Sequence, residues 1–118
     1  MSSTPSPSPN FSLSTESDDT AHVVRVEGEL DLSTGGELET LLAALSKPPL
    51  IVVLDFTALT FIDSTALRVL LTEHRKARAE GYEFVIAGAQ GPVREVFRIT
   101  AFDITLPLVT DVASALGE

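Results

Sequence analysis

The segment IVVLDFTALTFIDSTALRVLL, Ile51 to Leu71, decides the fold class of this chain. Its first part is a continuous β-branched and aliphatic run, which is typical of a strand buried on both faces. After a short loop, apolar residues recur at helical spacing and predict a helix from about Ser64 to Glu80, with Gly81 as its C′ residue. A buried strand followed by an amphipathic helix is the repeating unit of an α/β domain.

Two segments before this unit predict an antiparallel hairpin. FSLST begins at Phe11, and AHVVRVEGEL follows a turn at Ser17 to Asp19; both alternate between apolar and polar residues. Between this hairpin and the buried strand, four leucines spaced i, i+3, i+4, i+7 predict a first helix. Thr34 and Glu37 have capping-box spacing, which places its start near Thr34, and Pro48-Pro49 should end it.

Three further elements are predicted downstream. YEFVIAG, Tyr82 to Gly88, has the composition of a strand, and Gly91-Pro92 opens a third helix. DITLPLV, Asp103 to Val109, is predicted as an edge strand because it contains a proline, and Thr110 or Asp111 should cap a last short helix. The order β-β-α-β-α-β-α-β-α predicts a mixed sheet with crossover helices.

Composition limits the kind of protein. With 118 residues there is room for one domain, and MSSTPSPSPN, residues 1–10, is predicted to be a disordered leader before a domain at 11–117. The chain has no cysteine, which suits a reducing cytoplasm. A net charge of −9 disfavours nucleic acid and anionic lipid as partners, and no apolar run approaches the roughly 20 residues that span a bilayer. We therefore expect a cytoplasmic protein without a membrane partner.

Small polar residues follow the predicted strand ends. Asp31 comes after the second strand and Asp55 after the third, and Asp63-Ser64 precedes the second helix; Leu59, Phe61 and Ile62 should anchor the loop between. Because ligands of open α/β sheets collect at the carboxyl ends of strands, we expect these acids near one rim. A phosphate on Ser64 would lie beside the free N–H groups of a helix start. Plain helix capping explains the same residues equally well.

Catalytic residue sets are incomplete. A serine nucleophile needs a base, but His74 lies over two helical turns beyond Ser64, and His22 is expected at the opposite end of the sheet. The acidic pair and the lysine that accompany a phosphoacceptor aspartate are missing around Asp55. Neither glycine-rich nucleotide motif occurs. We expect no enzyme activity, no cofactor and no metal.

Three segments together carry a family resemblance. GELDLST (Gly28 to Thr34), the Ile51 to Leu71 segment and GPVREVFRIT (Gly91 to Thr100) resemble the STAS domain, specifically the bacterial anti-sigma factor antagonists. The resemblance covers about Phe11 to Leu116 and implies an α/β STAS fold: a four- to five-stranded mixed β-sheet with about four α-helices packed on it. One departure is Ala66, where the family usually has glycine.

The resemblance implies a partner switch controlled by phosphorylation. An unphosphorylated antagonist binds an anti-sigma factor, which is also a serine kinase of the histidine-kinase ATPase type, and so frees a sigma factor. Phosphorylation releases the antagonist, and a PP2C-type phosphatase resets it. By position the phosphoacceptor is Ser64, with Thr65 as the neighbouring hydroxyl.

The resemblance also implies which residues contact the partner. They are Glu29, Asp31, Asp63, Thr65, Ala66 and Arg68. The alternative is a STAS scaffold or adaptor that is never phosphorylated, within a stressosome-like or transporter-associated complex.

Overall fold

The structure, a computed structural model, describes residues 10–45 and 50–118. In chain order the elements of this part are β1 (Phe11–Ser17), β2 (Ala21–Leu30), α1 (Gly35–Ala44), β3 (Ile51–Asp55), β4 (Leu59–Ile62), α2 (Ser64–Glu80), β5 (Glu83–Ala87), α3 (Gly91–Ile99), α4 (Phe102–Thr105), β6 (Leu108–Val109) and α5 (Val112–Ala115). The mixed α/β class is confirmed, with one strand and one helix more than expected. Residues 1–9 of the predicted leader and the helix end at Pro48-Pro49 lie outside the described residues.

The six strands of the described chain form one mixed sheet: five follow the order β1-β2-β3-β5-β6, and β4 pairs with β2 alone. β1 and β2 pair antiparallel, as the hairpin prediction requires, and the remaining pairs are parallel. β2 is long enough to pair twice: Ala21 to Arg25 pairs with β3, and Gly28 to Leu30 pairs with β4. β4 was predicted as loop, and its pairing extends the sheet beyond the end of β3.

One face of the sheet carries the core. Leu38 of α1, Leu70 of α2 and Phe97 of α3 are fully buried and belong to one apolar cluster with strand residues such as Val24 and Leu54. Burying each such side chain stabilises the fold by about 1.5–3 kcal/mol. The three longer helices are therefore fixed on the sheet by their apolar faces, and α2 is held along its length.

The bounds of α2 are those predicted. Asp63 is its N-cap, with the side chain accepting a hydrogen bond from the backbone N–H of Ala66. Gly81 ends it in the left-handed conformation at φ 86°, which glycine adopts without steric cost. Local signals at both ends therefore fix the helix that carries Ser64.

Besides β4, two predictions about local structure were wrong. Asp103 to Thr105, predicted as strand, lie in α4, and only Leu108–Val109 extends the sheet. Phe102 and Leu106 both contact the core and are four residues apart, a helical spacing, and the Leu106 N–H donates to the Phe102 carbonyl. The capping box of Thr34 and Glu37 is also absent, because the Thr34 side chain makes no bond to the first turn of α1.

Candidate functional site

The candidate site lies where β2 and β4 end and α2 begins. We call it the Ser64 rim and define it as residues 29–34 together with residues 61–68. Leu30 and Ile62 are parallel partners at the last position of the two strands, so the chain leaves the sheet twice at the same place. One exit leads into the loop before α1 and the other into the first turn of α2.

Asp63 joins the two exits. Its Oδ1 accepts a hydrogen bond from the Ala66 N–H at 3.0 Å, and its Oδ2 accepts one from the Leu32 N–H at 3.1 Å. Its own N–H donates to the Leu30 carbonyl at 3.2 Å. A single carboxylate therefore caps α2 and also fixes the neighbouring loop against it.

Asp31 organises its own turn. Its Oδ1 accepts hydrogen bonds from the Ser33 N–H at 3.0 Å and from the Ser33 hydroxyl at 2.8 Å. The Thr34 hydroxyl lies 3.3 Å from the same oxygen. The hydroxyl of Ser33 is the main reason that the pKa of Asp31 lies below its ordinary value, and burial opposes this only in part. Asp31 therefore adds a stable negative charge to the rim.

Thr34 holds this loop from inside, a role that the sequence reasoning missed. The residue is fully buried; its hydroxyl donates to the Glu29 carbonyl at 2.9 Å and accepts from the Asp31 N–H at 2.8 Å. A hydroxyl three residues after an aspartate at a strand end was the available signal, but it was assigned to the helix cap.

Gly28 places the start of the rim. It has φ 95°, and a Cβ built on it would lie 1.6 Å from the Asn10 carbonyl oxygen. That same oxygen accepts a hydrogen bond from the Glu29 N–H at 2.9 Å. Only glycine permits this close approach, which explains why the GELD segment begins with a glycine. Glu29 itself is half-buried opposite Phe61 of β4.

Ser64 is the first residue of α2, and its side chain is exposed. Within the described part of the chain its hydroxyl makes no hydrogen bond. Thr65 is half-buried, and Arg68 is exposed one turn further along the helix. Ala66 is fully buried, so the methyl group that replaces the usual glycine is packed in the core and leaves the surface above the first turn open.

Two residues of the Ser64 rim expose apolar side chains to solvent. Leu32 is 76% exposed and Phe61 is 48% exposed. Phe61 was predicted to anchor the loop, whereas only Leu59 and Ile62 are buried there. Thr60 and Phe61, the two central residues of β4, are both exposed. An aromatic ring half open to solvent is typical of a contact surface.

Asp55 is not part of this rim. Its Oδ1 accepts bonds from the Thr57 N–H at 3.0 Å and the Thr57 hydroxyl at 2.6 Å, and its Oδ2 lies 3.8 Å from Nη1 of Arg25. Arg25 alternates with the core residues Val24 and Val26, so this pair lies on the other face of the sheet. The expected clustering of acids therefore holds for Asp31 and Asp63 only.

The histidines lie away from Ser64. His74 is ten positions further along α2, a rise of about 15 Å, and its pKa is lowered by burial and then by Arg78. His22 is buried near the start of β2. Across residues 10–45 and 50–118, no group of three or more candidate metal ligands is found, and no helix is long and apolar enough to cross a membrane.

The rim and the sheet order together define an α/β domain with an exposed serine at a capped helix start. The sequence profile of the STAS domain matches residues 12–115. The chain therefore belongs to the STAS domain family, as the three sequence segments had indicated.

Several solved structures share the fold of this chain. An anti-sigma factor antagonist from Mycobacterium paratuberculosis is 31% identical, with 93% of this chain and 95% of that chain covered and a TM-score of 0.81. The antagonist SpoIIAA is similar in its unphosphorylated form (19% identity, 90% and 92% covered, TM-score 0.73) and, from Bacillus, in its phosphorylated form (18%, 91% and 96%, 0.67). A sulfate transporter family protein from Wolinella succinogenes shares the fold at 15% identity, with 82% of each chain covered and a TM-score of 0.72.

Proposed function

We propose that this protein is an anti-sigma factor antagonist that is switched by phosphorylation of Ser64. The observation that carries the proposal is the exposed Ser64 hydroxyl, which has no partner in the described chain and stands on a helix start fixed by Asp63. The likeness to antagonists, one of them solved with and without phosphate, supports the same role.

The surface around Ser64 suits a protein partner. Exposed Leu32 and Phe61 offer apolar area, and the charged residues Asp31, Asp63 and Arg68 belong to the same rim. Aromatic and aliphatic groups within a polar border are the usual composition of a specific interface. The unphosphorylated protein binds its anti-sigma factor through this surface and so frees a sigma factor.

Phosphorylation reverses this binding by local charge. A phosphoserine carries about −1.5 to −2 charges at pH 7. Within the chain the start of α2 accommodates that charge, because its N–H groups and dipole favour anions. At an interface with Leu32 and Phe61, the same charge must be desolvated beside Asp31 and Asp63, which is unfavourable. Release therefore needs no change of fold.

Ser64 is favoured over Thr65 as the acceptor. Ser64 is exposed, whereas Thr65 is half-buried beside fully buried Ala66. The proposed modifying enzymes are a serine kinase of the histidine-kinase ATPase type, which is the anti-sigma factor itself, and a PP2C-type phosphatase. The protein is in this view a binding module without catalytic activity.

The test combines intact mass with binding. The protein is incubated with ATP and the serine kinase encoded nearest to its gene; we expect one phosphoryl group on the wild type and on Thr65→Val, and none on Ser64→Ala. Phosphorylation of Ser64→Ala would overturn the site. A wild type that no candidate kinase modifies, yet that binds other proteins, would instead support an unphosphorylated scaffold or adaptor.

A charge substitution tests the release step. By calorimetry, Ser64→Ala should bind the kinase like the wild type, and Ser64→Glu should bind at least about tenfold more weakly, because a charged group is buried without a partner. Ser14→Glu is the matched control, since it adds the same charge at an exposed position of β1. Equal weakening by both variants would show a general charge effect rather than a local one.

A further inference from the structure

A cavity of about 240 Å³ lies at the end of α2 opposite its first turn. Its base is one row of the sheet, because His22 of β2 pairs with Val52 of β3, and Val52 pairs with Phe84 of β5. Leu42 of α1 and Glu73 of α2 line it from the helix side. The cavity therefore lies between the sheet and two helices, and has no residue in common with the Ser64 rim.

Two polar side chains that line this cavity lack a hydrogen-bond partner at one or more of their polar atoms. His22 is 5% exposed; its Nδ1 lies 2.6 Å from the Ser17 hydroxyl, while its Nε2 has no partner in the residues that the structure describes. Glu73 is 9% exposed and makes no hydrogen bond within residues 10–45 and 50–118. Buried polar groups of folded proteins are nearly always paired, so the unpaired His22 Nε2 calls for a group that the described chain does not supply. The Glu73 carboxylate is desolvated in part and receives no neutralising hydrogen bond from the described residues beside it.

The charges around the cavity favour a cation. Glu73 and Glu80 line it together with Lys76, so carboxylates outnumber ammonium groups. Burial raises the pKa of Glu73; Lys76 opposes this, and Glu39 and Glu80 add to it. A bound cation would relieve both the desolvation of Glu73 and the repulsion from its acidic neighbours.

The remaining lining sets the rest of the ligand. Leu42, Val52 and Phe84 are apolar, and Tyr82 adds a hydroxyl group. Burial is the main reason that the pKa of Tyr82 is raised, and the negative charges of Glu73 and Glu80 raise it further. The volume lies below the roughly 300–1,000 Å³ of pockets for drug-sized ligands. A short hydrocarbon or single aromatic ring fits such a space better than a nucleotide.

We propose that this cavity binds a small apolar primary amine. The ammonium group donates hydrogen bonds to Glu73 and Glu80, and to His22 Nε2 in the tautomer whose Nδ1–H donates to the Ser17 hydroxyl. The hydrocarbon body contacts Val52 and Phe84. This site is separate from the proposed phosphoacceptor, so either proposal can fail without the other.

Phenethylamine is the probe for a first test on the full chain. Two analogues of similar shape serve as controls: phenylpropionate carries the opposite charge, and phenylethanol carries none. In amide-correlated NMR spectra, we expect saturable shifts with phenethylamine at the amides of His22 and Glu73, and none at Ser64. No shift up to millimolar phenethylamine, or equal shifts with phenylpropionate, would overturn the proposal.

Variants then identify the groups involved. Glu73→Gln should weaken phenethylamine binding about tenfold, because a charge-assisted hydrogen bond is lost. Ala43→Phe, at an exposed position of the lining, should block entry. Glu37→Gln is the matched control, since its Oε2 is also buried without a partner in the described chain but does not line this cavity. A folded Glu73→Gln that binds phenethylamine like the wild type would contradict the assignment.

Discussion

The two ends of α2 differ in how completely their polar groups are paired. At the first turn, the carboxylates of Asp63 and Asp31 and the buried hydroxyl of Thr34 all have partners close in sequence or space. Toward the last turns, Glu73 makes no hydrogen bond and the neighbouring His22 Nε2 is buried without a partner in the described chain. One end is organised in advance, and the other contains unpaired polar groups.

This difference bears on what each end can do. The loops of the rim are already fixed, so the proposed phosphorylation of the Ser64 hydroxyl needs no movement of the backbone. This suits a switch that acts by added charge. A cavity with unpaired polar groups gains most from a ligand that pairs them. Substitutions at the two ends should therefore have effects of opposite sign on stability.

The largest effect is expected at Thr34. Thr34→Val keeps the shape but removes the hydroxyl that serves both the Glu29 carbonyl and the Asp31 N–H. Leaving such buried groups unpaired should lower the free energy of unfolding by about 1–3 kcal/mol. Urea denaturation followed by circular dichroism measures it.

Thr40→Val is the matched control for this substitution. Thr40 is exposed on α1, so the same chemical change there should alter the free energy of unfolding by no more than about 0.5 kcal/mol. Equal losses in the two variants would remove the claim that Thr34 organises the rim.

Glu73→Gln should have a smaller effect and the opposite sign. The folded-state pKa of Glu73 is raised above its ordinary value of 4.5, so the folded protein binds its proton more tightly than the unfolded chain does. This contribution to stability is fully present below pH 4.5 and is lost as the pH rises through the folded-state pKa. At neutral pH the charged form is therefore unfavourable, and Glu73→Gln should be more stable than the wild type.

Chemical denaturation at a series of pH values checks this prediction. The wild type should lose stability between pH 4.5 and neutrality relative to Glu73→Gln, and the two curves should converge at acid pH. Glu83→Gln, at an exposed position of β5, should follow the wild type. A Glu73→Gln curve parallel to the wild type would mean that Glu73 already has an adequate partner.

Much of this architecture could be predicted because its signals are local. α2 was predicted to the residue, since Asp63 and Gly81 mark its ends within a few positions. β3 followed from a continuous apolar run. The proposed acceptor, Ser64, came from its place at a helix start together with the family resemblance.

The elements that were missed depend on distant contacts. β4 is a strand only because β2 extends past β3, and its two exposed central residues, Thr60 and Phe61, hide the alternation. For the same reason Asp55 lies away from the rim. It pairs with Arg25 of β2, whereas Asp31 and Asp63 directly follow the paired residues Leu30 and Ile62. The pairing of Thr34 with Glu29 runs backwards across the loop, whereas the capping rule considers only the following turn.

The smallest effect is expected at Ser33, and it tests the claim that the rim is paired. The Ser33 hydroxyl is the largest cause of the lowered pKa of Asp31, so Ser33→Ala should move that pKa back toward 3.8. Because the folded-state pKa is depressed, Asp31 stabilises the fold above pH 3.8, and this contribution is lost as the pH falls through the folded-state pKa. Carboxyl carbon NMR titration measures the shift directly, with Ser114→Ala as control, since Ser114 lies beside Asp111 on α5 instead. An Asp31 pKa unchanged by Ser33→Ala would mean that the remaining bonds, from the Ser33 N–H and from Thr34, hold the carboxylate without the hydroxyl.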